Sequence, residues 1–539
     1  MFDYAAHGLI ESPIKLPLPG NGPQTIGAIL DRHLVENAHR PALVGRSARY
    51  SYGELHRQVA RATAAFQQRG IRPYDRIAAC LPNDVDIVVA LLACARAGAI
   101  WVGVNRPLAA PEKAAILLDS GASLYLTDPE GCAQIKPQLK GLPALQEVLC
   151  ADRDSPNSSW HELLQAVSPG DAQRVAVDSF EPAAIAYTSG TTGTPKGAVH
   201  SHHNILLPGA IEVDKGSYGV ECPQGVMLPL TILNLMVLAP MVAFQDGSYC
   251  VCMDSLKPED VARWVRDERV GHFASVPTVI QDLLTSPKVD PQDLATLGRP
   301  DIGGAGIAEN IQTLYRERFG RKMTVAYGMT EAPTIVTRTD PDKAPEEELC
   351  GRAVAQIEIR IVDEKDQGVA QGEIGEICVL PAGTGAYANI YTTMLGYWDR
   401  PKVTVASLAG GMYHSGDLGY LDESGQLYIR GRQNDLIIRG GANVYPAEVE
   451  RVLVAHPGIK DAAVLGMEDA RLGQRVVAAV EILDTAATVE QTAQLTDEIQ
   501  SYCQQHLARY KVPEQIRFVE QLPRNAMNKI VKPKLKALF

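Results

Sequence analysis

The 539-residue sequence predicts an α/β protein of at least two domains. A large N-terminal domain of parallel and mixed sheets with a β-rich subdomain precedes a small C-terminal α/β domain. Three observations carry this reading. A chain this long exceeds what one hydrophobic core organises. Strand and helix patterns alternate through its first half, and the texture then changes near Pro341 and again near Asp435.

In chain order, SYGELHRQVARATAAFQQRG at 51–70 opens with a capping box formed by Ser51 and Glu54, keeps helical spacing and stops at Gly70. A buried strand at 76–80, a helix at 84–97 and a strand at 99–104 follow, the βαβ rhythm of a helix-covered parallel sheet. The rhythm returns with a strand at 247–252, a helix at 258–268 and a strand at 272–276. Beyond Pro341, short strands at 356–363, 375–380 and 426–429 are separated by turns such as DEKDQG. Beyond Asp435 come a proline-started helix at 446–456, strands near 462–466 and 476–482, and an amphipathic helix with Leu495, Ile499, Tyr502, Cys503 and Leu507 on one face. The expected division is 1–432, with the β-rich part at about 341–432, and 433–539. No internal repeat interrupts it.

Composition narrows the function classes. Hydrophobic residues at 46% and charged residues at 21% suit a soluble globular protein. A formal charge of −12 argues against a nucleic-acid partner, which calls for a basic excess. Ten cysteines without any C-x-x-C pair read as buried thiols of a reducing compartment. The N-terminus lacks a cationic start followed by an apolar core, and the longest apolar run, 232–244, is shorter than the roughly 20 residues of a membrane span. A cytoplasmic protein with no membrane span is expected.

The stretch 187-YTSGTTGTPKG-197 carries the first chemistry. A Walker loop requires glycine before its lysine and a hydroxyl after it, whereas Lys196 lies between Pro195 and Gly197. A dinucleotide fingerprint fails as well, since 303-GGAG-306 lacks the third glycine. What remains is a loop after a strand, with backbone N–H groups freed by glycine and hydroxyls at Thr188, Ser189, Thr191, Thr192 and Thr194 suited to phosphate oxygens. Lys196 adds a charge. A polar surface linker is the plainer alternative. His200, His202 and His203 lack companion ligands and read as a helix-start cluster rather than a metal site.

With 327-YGMTEA-332, 413-YHSGD-417, 428-YIRGRQNDLIIRGGANVYPAEVE-450 and 523-PRNAMNKI-530 following in order, nearly the whole chain resembles the adenylate-forming superfamily of acyl-CoA synthetases, carrier-loading adenylation enzymes and luciferases. The resemblance implies an acid-thiol ligase that uses ATP, Mg2+ and coenzyme A on a small carboxylic acid, with a mobile C-terminal domain and a homodimer as the family-level expectation. It implies that Thr188, Ser189, Gly190, Thr191, Thr192, Gly193, Thr194 and Lys196 cradle the β- and γ-phosphates, and that Thr330 contacts the α-phosphate. Glu331 would hold the metal, and Tyr327 with the backbone of Gly304 and Ala305 would sandwich adenine. Asp417 would accept the ribose hydroxyls, Arg432 would reach the ribose or phosphate side, and Lys529 would meet the reacting phosphate and carboxylate. Ordinary surface acids are the alternative for Glu331 and Asp417, and a solvated basic tail over 524–536 for Lys529. Where the family usually has glycine before that lysine, this chain has Asn528.

By the same resemblance Asp435 is a hinge between two half-reactions, and Gly440 and Gly441 let a pantetheine arm pass, a tight turn being the alternative. The acceptor is coenzyme A or, alternatively, a carrier protein loaded in trans; the chain ends ten residues after Lys529, which disfavours a fused carrier. A nucleotide-binding sensor without catalysis is the reading from another class. The resemblance also implies an acyl wall of Thr231, Ile232, Leu233, Asn234, Gly303, Gly306, Met329 and Pro333. This wall is mostly aliphatic and holds no lysine or arginine, so a neutral acid with an apolar tail or ring, small to medium in size, is expected.

Overall fold

The protein is described here as a computed structural model, in which residues 2–155, 157–188, 195–298, 300–303, 309–320, 323–340, 348–483, 489–524 and 530–539 are described. It divides into two compact units, Met1–Arg360 with Cys378–His414, and Ile361–Ile377 with Ser415–Phe539.

The first unit holds a seven-stranded sheet. Arg76–Cys80 lies in its interior, parallel to the central strand Ile100–Gly103 on one side and Leu124–Thr127 on the other. These strands are apolar on both faces, as a parallel sheet covered by helices requires. The helix Val85–Arg96 is buried along its whole length, and the Asp84 carboxylate caps it by accepting from the Val85 N–H at 2.8 Å. Pro182–Thr188 runs parallel to Ile100–Gly103, then returns antiparallel as Lys196–Ser201, which pairs with the short strand Gly396–Tyr397. The hydroxyl-rich segment is therefore the link of a β-hairpin whose ends meet at Thr188 and Lys196. Ala78, Val102, Tyr125, Ile185, Val199 and Trp398 fill the core beside this sheet.

A second sheet of this unit runs in the order Leu349–Ala353, Ala332–Arg338, Thr324–Met329, Asp301–Gly303, His272–Ser275, Gln224–Val226, Cys250–Cys252, Pro41–Val44 and Arg49–Ser51. Its central pairings are parallel, and Thr324–Met329 turns directly into the antiparallel Ala332–Arg338, placing Thr330 and Glu331 at the turn.

Several expectations hold closely. Ser51 caps Tyr52–Gln68 through a complete capping box, and Gly70 follows at φ +81°. The expected strand at 247–252 begins later, at Cys250, because Gly247 adopts φ +82° to end the helix before it. The apolar run at 232–244 is helical, Leu233–Met236 and Val242–Asp246 flanking a wider π turn at Val237–Met241. Pro240, which has no N–H to donate, sits in that turn. No described helix is long and apolar enough to cross a membrane.

The second unit contains the hairpin of Leu427–Arg432 against the strand ending at Leu421, and a sheet built on Ile459–Asp469 and Gly473–Ile482. Gln515–Val519, which sequence patterning missed, joins the latter in parallel. Leu495, Ile499 and Cys503 of the helix Val489–His506, with Leu507 just beyond its end, pack on its core. Tyr502 instead meets the rings of His456 and His506 at the margin. All ten cysteines are free thiols, six of them buried and four half-buried.

Candidate active site

In the first unit, the hairpin end and the Met329–Ala332 turn converge on Tyr397. The Tyr397 hydroxyl donates to Glu331 Oε1 at 2.7 Å, and Lys196 Nζ stands 5.5 Å from the centre of its ring. One side chain thus joins the lysine that closes the hydroxyl-rich segment to the carboxylate of the YGMTEA stretch. Burial, reinforced by the negative charge of Glu331, pushes the Tyr397 phenol far above its ordinary pKa. Tyr413 is buried beside it and is raised by the same two causes in the same order. Both phenols therefore stay protonated and act as neutral donors near a carboxylate.

Two further bonds fix the turn. His200 Nε2 donates to the Thr330 carbonyl at 2.9 Å, and Asn234 Nδ2 donates to the Met329 carbonyl at 3.1 Å. Burial depresses the His200 pKa to about 3, so its ring is neutral with the proton on Nε2. His200 lies on the strand Lys196–Ser201, so only His202 and His203 fit the helix-start reading.

The residues expected to form an acyl wall are partly committed to structure. Thr231 Oγ1 donates to Asn105 Oδ1 at 3.3 Å, and Leu233 is buried. The Thr231 carbonyl comes so near Gly103 that a Cβ there would stand 2.1 Å from it, which keeps position 103 a glycine. Ile232, Asn234 and Met329 are half-buried, and Gly303 pairs with Ala326 of the neighbouring strand. Pro333 lies in the strand Ala332–Arg338. Ser189, Gly190, Thr191, Thr192, Gly193, Thr194, Gly304, Ala305, Gly306 and Lys529 lie outside the described residues.

In the second unit, Arg432 Nε meets Asp417 Oδ1 at 3.0 Å across the hairpin, where the two residues are register partners. Sequence reasoning gave them separate tasks and missed this pairing. Gly416 at φ +69° and the Ser415 hydroxyl, which accepts from the Asp417 N–H at 3.0 Å, shape the approach to the carboxylate. Asp435 closes a short helical turn, 3.9 Å from Lys532 Nζ, which also meets Glu450 Oε1 at 2.8 Å. Gly440 and Gly441, at φ +59° and +84°, are the two central residues of a hairpin between Arg439 and Ala442. Positive φ at both positions is what such a two-residue turn demands, so the turn alone accounts for both glycines.

Sequence reasoning also missed Tyr397 and Tyr413. Tyr413 opens the YHSGD stretch but was passed over for its aspartate, whereas Tyr397 sits in 396-GYWDR-400, which carries no motif.

Comparison with known proteins places these residues in context. The model of the AMP-binding enzyme family matches residues 30–398, and that of the AMP-binding enzyme C-terminal domain matches residues 448–529. Feruloyl-CoA synthase of Amycolatopsis sp is 31% identical over 523 residues, covering 96% of this chain and 99% of that one. The fatty acid–[acyl-carrier-protein] ligase ScoC of Streptomyces coeruleorubidus is 28% identical, covering 96% of each chain. The crystal structure of ATP-bound MatB from Rhodopseudomonas palustris superposes with a TM-score of 0.84 at 27% identity, covering 96% of this chain and 98% of that one.

Proposed function

The chain belongs to the AMP-binding enzyme family, and from that premise we propose that it activates a neutral carboxylic acid with ATP and passes the acyl group to coenzyme A. It is an acyl-adenylate-forming ligase. In the first half-reaction the acid's carboxylate oxygen attacks the α-phosphorus and pyrophosphate leaves. In the second, a thiolate attacks the acyl carbonyl and AMP leaves. The first step concentrates negative charge on phosphate oxygens, so a site that positions the triphosphate and balances its charge performs most of the work.

The observation that carries this reading is the meeting of Lys196 and Glu331 on Tyr397. A cation at the edge of a phosphate-binding hairpin and a carboxylate held by a neutral donor form the two halves of a nucleotide-metal site. Magnesium prefers one or two carboxylates together with phosphate oxygens and water, and Glu331, half-buried with a fixed orientation, fits that donor set. When bound, magnesium supplies charge screening to the triphosphate. Asp417 is the acceptor suited to two vicinal ribose hydroxyls, with Arg432 setting its orientation. Asp435 serves as the hinge and Lys529 as the catalytic cation in this reading.

The acid is neutral and carries an apolar tail or ring. The aliphatic residues Ile232, Leu233 and Met329 support this, as does the likeness to a feruloyl-CoA synthase. Free thiols throughout fit a reducing cytoplasm, and a homodimer is the assembly we propose on family grounds. The likeness to ScoC favours one alternative acceptor, a carrier protein. Incubation with ATP, acid and coenzyme A is expected to yield acyl-CoA, AMP and pyrophosphate in equal amounts. Transfer to a carrier protein alone would replace coenzyme A in this assignment.

Tyr397→Phe tests the carrying observation. The ring beneath Lys196 persists while the donor to Glu331 is lost, and hydrogen bonds to charged groups contribute about 1.5–3 kcal/mol. The expected result is a fall of about tenfold to a hundredfold in kcat/KM for ATP with a higher magnesium requirement. Unchanged magnesium dependence would separate Glu331 from the metal.

A further inference from the structure

A small cavity of about 20 Å³, room for little more than one water-sized group, lies within the first unit between the helical stretch 233–246 and the second sheet. Two elements connect it to the proposed acid slot by their own periodicity. Along the helix, Leu238 and Val242 line the cavity, four and eight residues beyond Asn234 and on the same face. Along the strand Asp301–Gly303, Asp301 lines it and is two residues from Gly303. From Ala332–Arg338, Ile335 and Arg338 also line it. Asn234 and Gly303 are both expected acyl-wall positions, so the cavity continues that wall along the same two elements.

Its far side is polar. Arg338 reaches Asp301 Oδ2 at 2.9 Å and Glu212 Oε1 at 3.5 Å, and His272 Nε2 is 3.4 Å from Asp301 Oδ2. The remaining His272 nitrogen bonds Gln224 Oε1 at 3.0 Å. Gln356 also lines the cavity; it is 4% exposed, and its Oε1 has no hydrogen-bond partner among the described residues. A buried acceptor of this kind is costly unless a donor arrives.

Resting on the assignment of this chain as an acid-activating ligase, we infer that the cavity is the distal end of the acid slot and receives a hydroxyl borne at the far end of the acid, with Gln356 Oε1 as its acceptor. A second carboxylate is disfavoured, because Arg338 is already matched by Asp301 and Glu212. Gln356 Oε1 and Arg338 Nε are the two unpartnered buried atoms among the described residues that line the cavity, an acceptor and a donor, and a hydroxyl, which both donates and accepts, suits them without importing charge.

The test compares para-hydroxyphenylpropanoate with phenylpropanoate, and ω-hydroxyoctanoate with octanoate, by pyrophosphate release from the full-length enzyme. The hydroxylated member of at least one pair is expected to show kcat/KM higher by about tenfold or more. Gln356→Leu is expected to bring that pair to within about twofold of parity and to raise the melting temperature of the free enzyme, since an unpaired acceptor is removed. Equal use of both members of both pairs by the wild type, or a preference that survives Gln356→Leu, overturns the hydroxyl subsite while acid activation stands. Pyrophosphate release from none of the four acids, nor from any other acid, overturns the ligase assignment itself. Should Gln356→Leu not fold, Leu238→Trp reads the same placement. It is expected to cut kcat/KM for octanoate relative to butyrate by about tenfold or more, and equal loss for both acids overturns the position of the cavity.

Discussion

Lys529→Ala is expected to lower acid-dependent pyrophosphate exchange by about a hundredfold to a thousandfold, the scale of removing one preorganised group that stabilises a charged transition state. The melting temperature and most of the ATP affinity are expected to persist. Pentacoordinate phosphorus with an incoming carboxylate is more anionic than either reactant alone, so a cation present only at that moment lowers the barrier without tightening ground-state binding. The neighbouring sequence supports reserving this role for position 529. Arg524 pairs with Asp461, and its backbone bridges antiparallel to Ile530. Lys532 is engaged by Glu450 and Asp435. The basic stretch is thus not a uniformly solvated tail: two of its cations have acidic partners, while Lys534 and Lys536 are exposed. Unchanged exchange in the variant would move the catalytic cation elsewhere.

How far the sequence foretold this site follows from the physics of each part. The βαβ core was readable because parallel strands buried on both faces appear as unbroken apolar runs, as at Arg76–Cys80, and because Ser51 and Glu54 spell out their own helix start. The return strand Lys196–Ser201 was harder to see. It carries a lysine and a histidine, and His200 is buried only because it bonds a carbonyl 130 residues away. Tyr397 was invisible for a related reason: its strand is two residues long, and its role depends on pairing beside Ala198. The Asp417–Arg432 pair arises from hairpin register, which motif spacing does not encode. Gln356 showed no signal at all, since an unmet acceptor is defined by what surrounds it.

The first unit is expected to lose stability steeply as pH falls from about 6.5 towards 4, because of three histidines around the start of the helix His202–Asp214. Burial lowers the pKa of His200 to about 3 and those of His202 and His203 to about 4. Unfolding restores each to about 6.5, so between these values the unfolded chain binds more protons, and stability declines as pH drops. Above pH 6.5 both states are neutral and the effect vanishes. Each histidine contributes at most about 1.4 kcal/mol per pH unit, so at pH 5 the three together weigh about 6 kcal/mol, comparable to the whole stability of a typical domain. Some groups act in the opposite sense. Burial raises the Asp84 and Asp246 carboxyls, which favours folding as pH falls, and His161, raised by its bond to Asp86, contributes stability below pH 6.5 that is lost as pH climbs. The histidines outweigh these because they are more deeply buried, and the negative charge of Asp178 near His202 offsets burial only in part. His203→Phe isolates the contribution, since its ring stacks on Phe180 at 4.6 Å and a phenyl group preserves that contact without titrating. Melting temperatures measured from pH 7.5 to 4.5 are expected to fall less steeply in this variant than in the wild type. A wild-type melting temperature that stays level across the range would mean that the buried histidines open to solvent before they take up protons.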